Sequence, residues 1–275
     1  MVTRRSSEVL SSWQQDDVAV IQLHRDLLET TTNLDTKEEL FAAIKQVDEA
    51  DDIRALIFVG DPGVFDEKAY LRFLNALFDG TEDTDIAHSD LDRERLLSRE
   101  EYGVTQFIMH IHACRKITMA AFQGVLAPPY LGIALAFDCR VVTPDTVFDL
   151  AFSRFGLPPS GGLGFFLPLF VGQGRAMQLI MCGASLDAKQ ALELGLVSKI
   201  LPAEDFPEQC RHCISDMLDL PLHIAGATKA LVLTYTEEDL SKYLDRECDI
   251  IRSTWRQQTL HARRARAQAA QLENA

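Results

Sequence analysis

Apolar runs without interruption alternate along this chain with stretches whose apolar residues recur every three or four positions, the marks of buried strands and amphipathic helices. Val18 to Leu23 (V-A-V-I-Q-L) reads as a buried strand behind a polar N-terminal arm. Thr36 opens a helix: Glu39 completes a capping box with it, and Leu40, Phe41, Ile44 and Val47 make the apolar stripe. Asp51 and Asp52 end that helix, and Ala55 to Val59 is the next strand. Strand, helix and strand in such close succession predict a right-handed βαβ unit with parallel strands. A Gly60-Asp-Pro-Gly63 turn then leads into a helix ending near Phe78. Asp79, Glu82, Asp83, Asp85, Asp90, Asp92 and Glu94 crowd a segment with few apolar side chains, which reads as a surface loop. Tyr102 to Cys114 is a helix with Phe107, Ile108 and Ile111 inside, and His110 and His112 point to different faces of it.

The centre of the pattern lies between Ala120 and Gly162. A strand (Ile117 to Phe122) runs into a turn (Gly124 to Pro129), a small-residue helix (Tyr130 to Phe137) closed by Asp138, and a second strand (Cys139 to Thr143). A strand, a turn and a helix start in succession aim backbone N–H groups at whatever occupies the turn. In acyl-transfer and enolate chemistry such donors stabilise a developing oxyanion. Leu157-Pro-Pro-Ser-Gly-Gly162 precedes a helix from Leu163 to Val171, so Ser160 either caps that helix or helps its N–H groups to hold an anion. Asp187 then starts an amphipathic helix, Gly195 stops it, and Val197 to Leu201 is a strand. Beyond Ala203 the signal is helical: Glu204 to Leu218, His223 to Thr234, and Glu237 to about Gln257. The chain therefore divides into an α/β core (1–202) and a helical region (203–275).

Charge and composition narrow the partners. A net charge of −14 opposes binding to nucleic acid or an anionic membrane. No apolar run approaches the roughly 18 residues of a membrane span. No apolar segment follows Arg4 and Arg5, so the N-terminus does not read as a secretory signal and a cytoplasmic protein is expected. Six cysteines are scattered through predicted core elements; Cys210 and Cys213 have C-x-x-C spacing but no second ligand pair. Buried reduced thiols are expected, with no metal or redox cofactor. Arg252, Arg256, Arg263, Arg264 and Arg266 gather in the tail of this acidic chain, either as a cationic patch or as one face of a solvated helix.

Four segments carry a family resemblance: F-Q-G at 122–124, L-A-F-D-C-R-V-V at 135–142, F-G-L-P-P-S-G-G at 155–162, and G-A-S-L-D-A-K-Q-A-L-E-L-G-L-V-S-K-I-L-P at 183–202. They resemble the crotonase (enoyl-CoA hydratase/isomerase) superfamily, and more weakly the likeness runs from about Val18 to about Glu247. The resemblance implies a (ββα)n spiral core, C-terminal helices that build a homotrimer or a dimer of trimers, and an acyl-CoA or acyl-carrier thioester as ligand. Where relatives read F-S-A-G-A-D-L, this chain has Phe65 to Leu71. Ala69 then falls on the first oxyanion donor, and Asp66, Glu67 and Lys68 fall beside the CoA path; the same three residues also read as the charged first turn of a helix. Lys68 replaces a glycine and Tyr70 an aspartate.

At the central turn the second donor position becomes Pro129, which has no N–H, and one catalytic glutamate position becomes Gly132. The other glutamate position falls on Phe152. A one-residue slip would present the Tyr130 N–H instead, or the Tyr130 hydroxyl would donate. Ser160 is a further polar group for the carbonyl, and Arg263 and Arg264 suit the phosphates of CoA. Water held between two carboxylates is the core of the hydratase mechanism. The expectation is therefore a thioester-binding protein with non-standard chemistry, or a catalytically silent member that serves as a binding or structural partner.

Overall fold

The computed structural model describes residues 5–78, 90–215, 217–218, 222–233 and 239–254. In chain order the elements are β1 (Arg5–Ser6), β2 (Leu10–Gln15), β3 (Val18–Leu23), α1 (Leu27–Thr32), α2 (Leu34–Glu49), β4 (Ala55–Gly60), α3 (Glu67–Phe78) and α4 (Asp90–Ala113). Then come β5 (Ile117–Phe122), β6 (Val125–Leu126), α5 (Pro129–Leu135), β7 (Cys139–Val142), β8 (Val147–Asp149), a 3-10 turn (Phe152–Phe155), α6 (Leu163–Val171) and α7 (Gln173–Met181). The chain continues through β9 (Ser185–Asp187), α8 (Ala188–Glu193), β10 (Lys199–Ile200), α9 (Phe206–Ser215), α10 (Leu222–Leu233) and a last helix, α11, over residues 239–254.

Seven strands form one sheet in the order β1-β2-β3-β4-β5-β7-β10, and β6, β8 and β9 form a second, smaller sheet. From β3 to β10 the large sheet is parallel, while β1 and β2 add an antiparallel edge. Alternation along the strands splits the core in two. Ala19, Ile21 and Leu23 of β3 join Leu56, Phe58, Ala120 and Phe122 on the face covered by the helices of the main core. Val18 and Val20 join Ala55, Ile57, Val59, Met119 and Val141 on the other face, beneath Phe206, Cys210 and Ile214 of α9.

The predicted strands at 18–23 and 55–59 stand at those positions and pair in parallel. Other boundaries differ, each for a physical reason. The polar arm is a hairpin, because Leu10 is buried and Trp13 packs against the α9 side of the core. Helix α2 starts at Leu34 rather than Thr36. Asn33 Oδ1 accepts from the Asp35 N–H at 3.0 Å and serves as the cap, while the Thr36 hydroxyl donates to the Thr30 carbonyl at 2.8 Å. Asp90, Asp92 and Glu94 belong to α4, which begins twelve residues before Tyr102; Asp79, Glu82, Asp83 and Asp85 lie outside the described residues. The small-residue helix starts at Pro129, a position that needs no N–H partner.

In the C-terminal region α10 is tied to the sheet by a part-buried ion pair. Lys229 Nζ lies 2.7 Å from Asp138 Oδ2 and 3.0 Å from the Lys116 carbonyl. The same Asp138 oxygen accepts from the Thr118 N–H and hydroxyl at 2.7 and 2.9 Å. Ile214, Leu218 and Leu244 are buried within the chain, whereas Met217, Leu231, Val232 and Ile250 are exposed.

Candidate functional site

Four backbone segments converge at the central turn: the Asp26 cap of α1, the start of α3, the start of α5, and the 157–162 loop before α6. Ala69, which the family resemblance implies as the first donor, is buried, and its N–H donates to Asp66 Oδ1 at 2.7 Å. Asp66 is thus a helix-capping carboxylate turned back on its own helix. Glu67 leans across to Arg154 at 3.6 Å, which also pairs with Asp149, and Lys68 is exposed. The three residues are therefore split, one toward the helix and one toward the 152–155 turn.

Pro129 sits in the first turn of α5, and the Tyr130 N–H donates to the Ala127 carbonyl at 3.1 Å. The Tyr130 side chain is wholly buried against Phe65, and its hydroxyl donates to Asp26 Oδ2. Asp26 Oδ1 meanwhile accepts from the Leu28 and Glu29 N–H groups at 2.8 and 3.0 Å, capping α1. Burial raises the Asp26 carboxyl to about 6, although the Tyr130 hydroxyl and the two N–H groups favour its charged form. Burial, then the neighbouring carboxylate, pushes the Tyr130 phenol well above its ordinary value.

Gly132 faces the loop before α6 at a distance that leaves no room for a side chain. A Cβ there would lie 2.5 Å from the Gly161 carbonyl oxygen and 2.6 Å from the Leu163 nitrogen. Gly161 answers from the other side: it has φ +71°, and a Cβ on it would lie 2.7 Å from the Pro129 oxygen. Helix α5 and this loop are thus in backbone-to-backbone contact. Phe152 is buried in the 3-10 turn, as an apolar wall.

Ser160 is not the cap of α6, since Gly162 holds the cap position without a side-chain bond. The anion at this helix start comes from the far end of the chain. Glu247, on α11, accepts from the Gly162 N–H with its two oxygens at 3.1 and 3.2 Å. Leu28, Ile108, Pro129, Ser160, Gly161 and Glu247 enclose a cavity of about 30 Å³, which is room for about two water molecules. Two clefts of about 630 and 530 Å³ flank α10 and share no lining residue with it. Asp26 and Glu247 both escaped the sequence reading. Each acts on a partner 104 or 85 residues away, and no local pattern encodes such a pair. Arg263 and Arg264 lie outside the described residues. Among the described residues no group of His, Cys, Asp and Glu side chains has metal-binding geometry, and no helix is long and apolar enough to cross a membrane.

Comparison with known proteins gives these features a setting. Residues 14–268 match the family described as Enoyl-CoA hydratase/isomerase. Among curated relatives, 4-chlorobenzoyl coenzyme A dehalogenase-2 of an Arthrobacter species is 25% identical over 247 residues, covering 90% of this chain and 85% of that protein. A protein named probable enoyl-CoA hydratase from Rhodobacter capsulatus is 29% identical over 196 residues, covering 71% of this chain and 70% of its own length. The crystal structure of enoyl-CoA hydratase from Bacillus halodurans superposes with a TM-score of 0.68 at 20% identity, over 89% of this chain and 94% of that one, which shows the shared fold.

Proposed function

This chain belongs to the enoyl-CoA hydratase/isomerase family, and from that premise we propose that it is a catalytically silent member, a binding or structural partner on the family scaffold rather than a hydratase. The observation that carries this reading is the Ala69 N–H, which is buried and donates to Asp66 at 2.7 Å. Of the two donor positions that the family pattern supplies, one is thus satisfied inside its own helix, and the other is Pro129. The substitutes are occupied as well: the Tyr130 N–H by the Ala127 carbonyl, the Tyr130 hydroxyl by Asp26. Loss of a single oxyanion donor costs about 3 kcal/mol of transition-state stabilisation. The pattern places one glutamate at Gly132, where backbone already fills the space, and the other at Phe152. Exposed Met217, Leu231, Val232 and Ile250 support self-association through the C-terminal helices, as a homotrimer or a dimer of trimers.

A second reading, a protein that binds an acyl-CoA or acyl-carrier thioester and acts on it by other chemistry, draws on Ser160 and Glu247 at the small cavity beside Pro129. Calorimetry with crotonyl-CoA and a hydration assay on the same protein separate the two. The silent-member reading expects no hydration above the buffer rate and crotonyl-CoA recovered unchanged, whether or not it binds. A turnover of even a few per second, near the median for enzymes, overturns it, and saturable binding with conversion of the thioester to a product other than the hydrated one would establish the second reading in its place.

A further inference from the structure

On the α9 side of the sheet the inward positions of β3 run Val18, Val20, Gln22, and the alternation continues to His24 just past the strand. The equivalent positions of β4 are Ala55, Ile57 and Val59, followed by Asp61, and β2 contributes Ser11 and Trp13. The face thus turns polar at one end of these three strands, and the pairing brings the polar residues together. Ser11 stands opposite Gln22 across β2 and β3, with His24 two residues on, and Leu23 pairs with Gly60, which sets His24 beside Asp61.

The contacts follow a definite order. Ser11 Oγ lies 2.8 Å from His24 Nε2, and His24 Nδ1 lies 2.8 Å from Asp61 Oδ2. The other Asp61 oxygen accepts from Gln22 Nε2 at 2.6 Å. A carboxylate can only accept, so the His24 proton sits on Nδ1, and the Nε2 lone pair faces the serine hydroxyl. Hydroxyl to imidazole to carboxylate is the arrangement that activates a serine nucleophile, and it is recognised by geometry and not by sequence order. The imidazole is 27% and the Asp61 side chain 37% exposed, so solvent reaches the base and its carboxylate, while Ser11 itself is buried at 6% and is approached from the side of His24 and the exposed Ser6. Ser6, exposed on β1, places its own hydroxyl 2.8 Å from Ser11 Oγ, at hand for a charge that develops on an attacked carbonyl.

We infer that Ser11, His24 and Asp61 form a second site, distinct from the central turn, with Ser11 as a nucleophile toward activated esters. Ser11 Oγ attacks the carbonyl carbon while its proton passes to His24 Nε2. The oxyanion collapses, the bond to the leaving alkoxide breaks, and His24 returns the proton to it. Water, deprotonated by the same imidazole, then cleaves the acyl-serine ester. In sum, one ester and one water give one acid and one alcohol. Asp61 is a positioning residue that fixes the tautomer and orientation of His24.

The first test needs no variant: the wild-type protein is incubated with a fluorophosphonate and its peptides are weighed. The expected result is one phosphonyl group on Ser11, with loss of fluoride; an unmodified Ser11 overturns the proposal. The second is hydrolysis of p-nitrophenyl acetate, which Ser11→Ala and His24→Gln should each slow by on the order of 10²-fold or more. A Ser11→Ala protein that matches the wild-type rate overturns it. Asp61→Asn should lower kcat with KM little changed, and Asp61→Glu should restore part of the rate; a loss carried by KM, or one equal in both variants, overturns the positioning role. These results do not depend on whether the central turn binds a thioester.

Discussion

Replacing Asp26 by Asn changes one proton and little else. The side chain is almost fully buried and holds three hydrogen bonds: from the Leu28 and Glu29 N–H groups to Oδ1, and from the Tyr130 hydroxyl to Oδ2. Asparagine keeps an Oδ1 for the two N–H groups and ranks with aspartate as a helix cap. Its amide would meet the Tyr130 oxygen as a donor, and the phenol can turn to accept. What disappears is the cost of a buried charge. The carboxyl stands at about 6 in the folded protein against 3.8 unfolded, a difference of about 3 kcal/mol. Because the folded value is raised, the folded state binds the proton more tightly. The wild type is therefore most stable with respect to this group below about pH 4, loses stability as pH rises toward 6, and above that carries the full penalty.

Asp26→Asn carries no such penalty at any pH. Its stability relative to wild type should be within about 1 kcal/mol at pH 4 and higher by about 2–3 kcal/mol at pH 7.5. Urea unfolding at the two pH values, each variant against wild type, reads this directly, since every other titrating group cancels in the difference. A stability difference that is the same at pH 4 and pH 7.5 would refute the reasoning. Asp26 would then be ionised in the folded protein with an ordinary affinity for its proton.

Two glycines of similar helical setting should respond in opposite directions to alanine. Gly132→Ala forces apart α5 and the Gly161–Leu163 backbone, so overpacking of about 1–3 kcal/mol outweighs a helix-propensity gain of about 1 kcal/mol. Gly174 in α7 has open space around it, so Gly174→Ala should stabilise by up to about 1 kcal/mol; thermal midpoints that move in the same direction for both would contradict the packing described. Lys229→Met leaves the part-buried Asp138 without its cation, and should cost about 1–3 kcal/mol in urea unfolding. A loss below about 1 kcal/mol would mean that the pair is solvated and does not tether α10.

Much of the scaffold was legible because its central strands are buried on both faces, so each reads as an unbroken apolar run: V-A-V-I at 18–21, A-L-I-F-V at 55–59. The Gly60-Asp-Pro-Gly63 turn and the glycine loop before Leu163 were legible from turn chemistry. The edge hairpin was not, since L-S-S-W-Q-Q has too few apolar residues to announce a strand, and its burial depends on Trp13 reaching the α9 side of the core. The acid-rich start of α4 was read from composition, which reports solvation and not backbone shape. Around the central turn the family pattern pointed to Ala69, Pro129 and Gly132. It did not reveal that the Ala69 N–H is held by Asp66, or that Gly132 abuts backbone, because both are facts of packing distance. Ser11 lies on β2, His24 just past β3 and Asp61 just past β4, and only the sheet register brings them together.

The strand lengths carry a consequence for how this molecule meets others. In both sheets the outermost strands of the described residues are stubs: two residues at β1 and β10, two at β6, three at β9. Arg5 and Lys199 put a cation on both rims of the large sheet. An unpaired row of backbone N–H and C=O groups is an invitation to any extended peptide, and short charged edges withdraw it. Short charged rims of this kind favour meetings through helix surfaces and side chains, with the parallel strands β3, β4, β5 and β7 kept inside the sheet, away from templated growth.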